Sequence, residues 1–118
     1  MTLGAISGFL AVAIGAFAAH GITDPQAKEW LTTGASYQFM HTMAILACAT
    51  FMNVGARQAR HAPALFLAGI VLFSGSLYAM ALGAPRWLGA VTPVGGLLFL
   101  AGWAVMAWSA RKVDQIEG

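Results

Sequence analysis

The sequence predicts an all-α protein: an antiparallel bundle of four transmembrane helices with short loops and both termini on the same side. Three observations carry the prediction. Four uncharged stretches, 1–23, 30–56, 62–85 and 87–110, take up nearly all of the 118 residues, and each reaches the roughly 20 apolar residues that a spanning helix needs. All ten Asp, Glu, Lys and Arg residues fall between the stretches or in the tail, as expected where a charge at the centre of a span costs roughly 2.5–3.5 kcal/mol. The links are short, and short links make neighbouring helices antiparallel.

Composition excludes a water-facing globule. Hydrophobic residues make up 59% and charged residues 8% of the chain, against about 25% charged in a soluble domain. The chain is read as one integral membrane domain over 1–118. Its six basic residues are spread over the gaps, so no nucleic-acid patch forms and no such partner is expected. The single Cys48 excludes an intrachain disulfide and any Cys-based zinc or iron–sulfur site. Ala16-Phe17-Ala18 fits a small-x-small cleavage pattern, but no Lys or Arg precedes it, and the segment is expected to be retained as the first span.

The first span is placed at 3–20. Gly4 and Gly8 form a GxxxG pair, and Ser7, Ala11, Gly15 and Ala19 continue the small residues. Such a stripe lets another helix approach closely in lipid, within the chain or in a second copy. Gly21 suits the left-handed position after a helix. Asp24 is the expected N-cap of the second helix, with Pro25 in its first turn. The helical pattern then runs to 54, with the span at 30–54 and Trp30 at the interface. Thirty residues make about 45 Å, longer than the ~30 Å hydrocarbon core. The first turns therefore project into the headgroups, or the helix bends near Gly34.

Asn53 and Gly55 close that helix, and Arg57–His61 is a basic link. Pro63 opens the third span, 63–83, which Gly83-Ala84-Pro85 ends. The fourth starts either at Trp87 with a kink at Pro93, or at Thr92 as N-cap. The second is preferred, giving a span of 92–111 and a polar, frayed tail over 113–118. The terminal side then carries Arg57, Arg60, Arg111 and Lys112, and the opposite side Lys28 and Arg86. By the positive-inside rule both termini are cytoplasmic.

The candidate polar groups inside the spans are His20, Tyr37, Gln38, His41, Ser74, Ser76, Tyr78 and Thr92, with Ser36 beside them on the second helix. Tyr37 and Gln38 stand four and three residues before His41, and Ser74 four before Tyr78, spacings that share a helix face. The antiparallel topology puts all eight in the outer half of the bundle. The first reading is structural, because polar side chains in lipid hydrogen-bond across helices and hold a bundle in register. The second is a ligand or ion pocket open to the outer leaflet. His20 and His41 also have the chemistry of haem or copper ligands. No carboxylate lies near for a Ser-His-Asp set, and no HExxH or GxGxxG occurs. Thr92-Pro93-Val94-Gly95-Gly96 lacks the lysine and strand of a P-loop; it reads as a helix start that packs closely, with Gly75, Gly95 and Gly96 as packing positions. A transporter would show intramembrane charges and repeats, and neither is visible.

The ordered segments Gly15-Ala16-Phe17-Ala18-Ala19-His20-Gly21, Tyr37-Gln38-x-x-His41, Phe73-Ser74-Gly75-Ser76-Leu77-Tyr78, Thr92-Pro93-x-Gly95-Gly96 and Gly102-Trp103 resemble the domain-of-unknown-function 423 family, also called the transmembrane protein 256 family. The likeness covers about 4–108. One departure is Ala18, where the family form has Gly. The resemblance implies a four-span inner-membrane protein of bacteria and brings no activity, cofactor or catalytic residue. The expected function is therefore non-enzymatic. The polar cluster organises the bundle and binds membrane lipid or a small apolar ligand. The alternatives are an assembly subunit that homo-oligomerises through the small-residue face of the first helix, and a haem or redox protein using His20 and His41. No other cofactor, no metal and no catalytic residue is expected.

Overall fold

The computed structural model describes residues 2–117, without the side chains of 112, 113 and 115–117. Every regular element among them is helical. α1 is Thr2–Gly21, α2 Pro25–Asn53, α3 Ala62–Gly69, α4 Gly75–Ala81 and α5 Thr92–Glu117. A π-helical turn, Ile70–Ser74, joins α3 to α4, so these pieces form one rod. Short 3-10 turns, Arg57–His61 and Arg86–Ala90, lead into α3 and α5. Three stretches, Thr2–Gly21, Arg57–Ala81 and Arg86–Arg111, are long and apolar enough to cross a membrane.

The helix ends follow their local chemistry. The Asp24 carboxylate accepts from the Ala27 amide at 2.9 Å, and Pro25 sits in the first turn, where a missing N–H costs nothing. The left-handed conformation expected at Gly21 occurs instead at Gly55 and Gly83, with φ of 102° and 103°; Gly21 is still the last residue of α1. α5 begins at Thr92, and the Trp87 region is a separate 3-10 turn. Thr92 is the first residue of α5 rather than its N-cap: the Val94 and Gly95 amides bond the Val91 carbonyl, and the Thr92 hydroxyl bonds Ser76 across the rods. The tail expected to fray continues α5 to Glu117, since propagating a formed helix adds one hydrogen bond per residue fixed. Gly118 and the Lys112 side chain lie outside the described residues.

α2 is the central rod. It packs against α1, α3, α4 and α5, whereas α1 packs substantially on α2 alone. Ten residues of α2 are buried against three of α1, and they include the polar Gln38, His41 and Thr42, which suits the least apolar rod to the middle. The apolar core lies towards the α2–α3 link, where Ala44, Ile45, Cys48, Phe66, Phe99 and Met106 meet.

The small residues of α1 form an intrachain seam. A Cβ at Gly4 would lie 3.1 Å from Leu46, one at Gly8 3.5 Å from Thr42 and one at Gly15 3.8 Å from Ala35. Ala11 and Ala18 are buried, and Ala19 is exposed. Ala18 thus replaces the expected Ala19, because steps of four residues drift about 40° around a helix of 3.6 residues per turn, whereas steps of seven drift only about 20°.

Of the three glycines expected as packing positions beyond α1, Gly95 lies against another rod, and Gly75 and Gly96 face open space. A Cβ at Gly95 would come 2.8 Å from the Phe73 Cα, in the π-helical turn, whereas Cβ atoms at Gly75 and Gly96 would meet nothing within 4 Å. Close approaches to aromatic rings also occur at Gly69, 2.5 Å from the Phe99 ring, and at Gly102, 2.5 Å from the Phe66 ring. The wide π turn pushes its backbone outward on one side, and only a residue without a side chain fits opposite it.

Candidate functional site

Gln38 is the hub of a polar chain through three rods. Its Nε2 donates to the Ser7 carbonyl at 2.9 Å and to Ser7 Oγ at 3.1 Å. Its Oε1 accepts from the Tyr78 hydroxyl at 2.6 Å. Ser7 Oγ in turn bonds Thr42 Oγ1 at 2.8 Å. One turn away on α2, the Gly34 carbonyl accepts from Ser74 Oγ at 2.7 Å. Gly34 makes room for Tyr78, whose ring would lie 2.6 Å from a Cβ there. The π turn places Ser74 against α2 and so sets the height at which Tyr78 reaches Gln38.

His41 forms a second centre. Its Nδ1 lies 2.8 Å from the Tyr37 carbonyl, and its Nε2 accepts from the Trp103 indole N–H at 3.1 Å. A carbonyl only accepts and an indole N–H only donates, so this pattern fixes the neutral tautomer with its proton on Nδ1. The imidazole stacks on Phe99 with centroids 3.6 Å and planes 9° apart. Phe66 and Trp103 close its other sides at 5.6 and 6.0 Å. An iron or copper ligand at His41 would have to displace the indole. The Tyr37 ring packs on Phe73 at 4.7 Å, on the exposed flank of this stack.

The remaining expected residues lie apart from these two centres. Ser76 donates to the Phe73 carbonyl at 2.9 Å and pairs with Thr92, pinning the start of α5 to α4. His20 is exposed at the end of α1. In the antiparallel α1–α2 register Gly8 faces Thr42 and Gly15 faces Ala35, which puts His20 level with residue 30. Eleven residues of helix, about 16 Å, then separate it from the level of His41. The structure thus brings together Tyr37, Gln38, His41, Ser74 and Tyr78, and leaves His20 out.

Sequence reasoning missed three members of these centres: Ser7, Thr42 and Trp103. Ser7 and Thr42 were visible as hydroxyls within apolar spans, and Trp103 as an indole N–H that needs an acceptor when packed inward. Nothing in the sequence paired them.

An open apolar groove of about 640 Å³ lies on the other face of the α1–α2 seam, walled by Val12, Gly15, Phe39 and Met43, with Thr32 and Ser36 at one end. A smaller part of about 470 Å³ continues it past Gly4 and Leu46. Neither part includes Gln38, His41 or Tyr78.

The comparison with known proteins adds to this geometry. The model of the family described as "Protein of unknown function (DUF423)" matches residues 14–96. The chain belongs to this family. It is 46% identical over 115 residues to a UPF0382 membrane protein of Haemophilus influenzae, covering 95% of this chain and 93% of that one. It is 47% identical over 115 residues to the UPF0382 inner membrane protein YgdD of Escherichia coli K12, covering 94% and 88%. A UPF0382 membrane protein of Staphylococcus epidermidis is 38% identical over 113 residues, with 93% of each chain covered. No solved structure matches the chain. The DUF423 match begins after Ser7 and ends before Phe99 and Trp103, so it holds Gln38, His41, Thr42, Ser74 and Tyr78 but only part of each polar centre. The protein is a small helical membrane protein, as the resemblance implied.

Proposed function

We propose that this is a four-pass, non-enzymatic protein of the bacterial inner membrane with both termini in the cytoplasm. Its polar centres organise the bundle, and its α1–α2 groove holds a lipid acyl chain. The observation that carries the reading is Gln38, whose amide is used at both ends by Tyr78 and Ser7. A hydrogen bond inside lipid is worth about 0.6 kcal/mol on average, and an unmade one there costs more, so a closed chain favours one packed arrangement. With Gln38 and His41 occupied, apolar ligand binding moves to the groove. Its volume falls in the range of small-molecule sites, about 300–1,000 Å³.

α2 completes the four crossings in this reading, because Gln38, His41 and Thr42 are buried against neighbouring rods. The name of the Escherichia coli relative supports the inner membrane, and Arg57, Arg60, Arg111 and Lys112 against Lys28 and Arg86 support cytoplasmic termini. The small-residue stripe of α1 packs on α2, and Gly8 and Gly15 also line the groove, so a second copy that used this stripe would compete with the lipid.

The test is native mass spectrometry of the gently purified protein beside Ser36→Phe, which fills the groove from an exposed position. Retained lipid that the variant loses supports the reading. Equal retention by both proteins sinks it.

A further inference from the structure

We propose that the groove selects a zwitterionic phosphoethanolamine lipid, seating one acyl chain between α1 and α2 and the headgroup on Lys28 and Glu29. The inference rests on the acyl-chain reading above and adds the headgroup.

Length decides what kind of occupant fits. The larger part runs along α2 from Thr32 to Met43, eleven residues or about 16 Å. With its smaller extension to Leu46 the groove reaches about 21 Å. A transmembrane helix from a partner or a second copy would follow the full ~30 Å of hydrocarbon. One acyl chain, rooted in one leaflet, matches the shorter run.

Polarity decides which way the occupant points. Among the residues that line the larger part, the hydroxyls are those of Thr32 and Ser36, both exposed and both at the end near the start of α2, while the Thr42 hydroxyl on the smaller part is taken up by Ser7. One turn further out are Lys28, four residues before Thr32, and Glu29, three before Thr32 and seven before Ser36. These spacings keep them on the face that carries the hydroxyls, and both are exposed. The groove therefore opens on an adjacent cation and anion.

Charge decides the headgroup. A phosphoethanolamine carries a phosphate for Lys28 and an ammonium for Glu29. A phosphoglycerol headgroup, or free phosphate, would satisfy Lys28 and set its negative charge beside Glu29. The other ionisable groups at this end do not alter the match. Asp24 uses its carboxylate on the Ala27 amide. Arg86 lies over the Trp30 ring at 5.6 Å, and Trp30 is about 200° around the helix from Thr32. His20 ends α1 and is exposed to water.

The experiment uses the full chain reconstituted with equal amounts of phosphatidylethanolamine and phosphatidylglycerol of the same acyl chains, followed by gentle extraction and native mass spectrometry. The wild-type protein is expected to retain phosphatidylethanolamine about fivefold over phosphatidylglycerol, the size of one exposed ion pair. Glu29→Gln should bring that ratio to unity, and Ser36→Phe should lose both lipids. Both positions are exposed, and circular dichroism confirms that each variant is folded. Lipid lost by Ser36→Phe but retained by the wild type without headgroup preference, or with preference for phosphatidylglycerol, overturns the inference and leaves the acyl-chain reading standing. Retention that Ser36→Phe does not change overturns both.

Discussion

The indole N–H of Trp103 on α5 reaches Nε2 of His41 on α2 at 3.1 Å, across 62 residues of sequence. This contact, with the Tyr37 carbonyl on Nδ1, leaves the imidazole neutral and without a free nitrogen. It ties the middle of α5 to α2 in the same layer where Phe99 stacks on the ring. The π turn is held against the same two helices, by Ser74 on Gly34 and by Gly95 beneath Phe73. Polar bonds and backbone contacts thus fix the relative height of α2, α4 and α5 at two levels, about 10 Å apart along α2.

Replacing Trp103 by Phe keeps the aromatic body and removes the donor. The buried Nε2 then lacks a partner, which costs about 1–3 kcal/mol. A lower melting temperature in detergent is expected. Nitrogen NMR of the wild-type imidazole should show the proton on Nδ1; a proton on Nε2 would contradict the assigned pattern.

Gly95→Ala should be far more damaging than Gly96→Ala, one residue along the same helix. The first places a methyl group against the Phe73 backbone, 2.8 Å from its Cα, and the second meets open space. Overpacking costs about 1–3 kcal/mol, whereas replacing an unconstrained helical Gly by Ala gains up to about 1 kcal/mol. Denaturation of the two variants side by side measures the difference. Equal stabilities would mean that the π turn and α5 are not in backbone contact.

Gln38→Leu and Tyr78→Phe should be coupled. Each removes one end of the 2.6 Å bond, so the double variant should lose less than the sum of the single losses. A coupling of about 0.6–1.7 kcal/mol is expected, the range of side-chain hydrogen bonds in membrane helices. Additive losses would place Tyr78 and Gln38 in separate environments.

Much of this was legible in the sequence, for physical reasons that differ by element. Asp24-Pro25 and Gly83-Ala84-Pro85 mark helix ends through local backbone chemistry, and the structure follows them. Gln38, Ser74 and Tyr78 stood out because polar groups are costly in an apolar span and must be paired. Their partners were not legible, because Ser7, Thr42 and Trp103 meet them only through the register of the rods. The π turn was hidden for a related reason: Ile70–Ser74 has an ordinary apolar composition, and what distinguishes it is the Gly95 backbone on another helix. Ala18 and Ala19 could be told apart only by following the true helical period along the α2 contact.

The crossing of α2 gives the sharpest topological test. Composition alone makes α2 the doubtful span, since its polar residues dilute its hydropathy, yet Gln38, His41 and Thr42 are turned towards the other rods and its outer surface carries Phe39, Met40 and Met43. A helix that crosses must have its two ends on opposite sides of the membrane. In a Cys48→Ala background, which removes the one native thiol, Gln26→Cys and Asn53→Cys put single thiols at exposed positions near the two ends of α2. In intact cells a membrane-impermeant maleimide should label position 26 and spare position 53 until the membrane is permeabilised. Fluorescent-protein fusions at either terminus should both be bright, as cytoplasmic placement requires. Labelling of both positions in intact cells would make α2 a surface-lying helix, and labelling of position 53 alone would invert the topology.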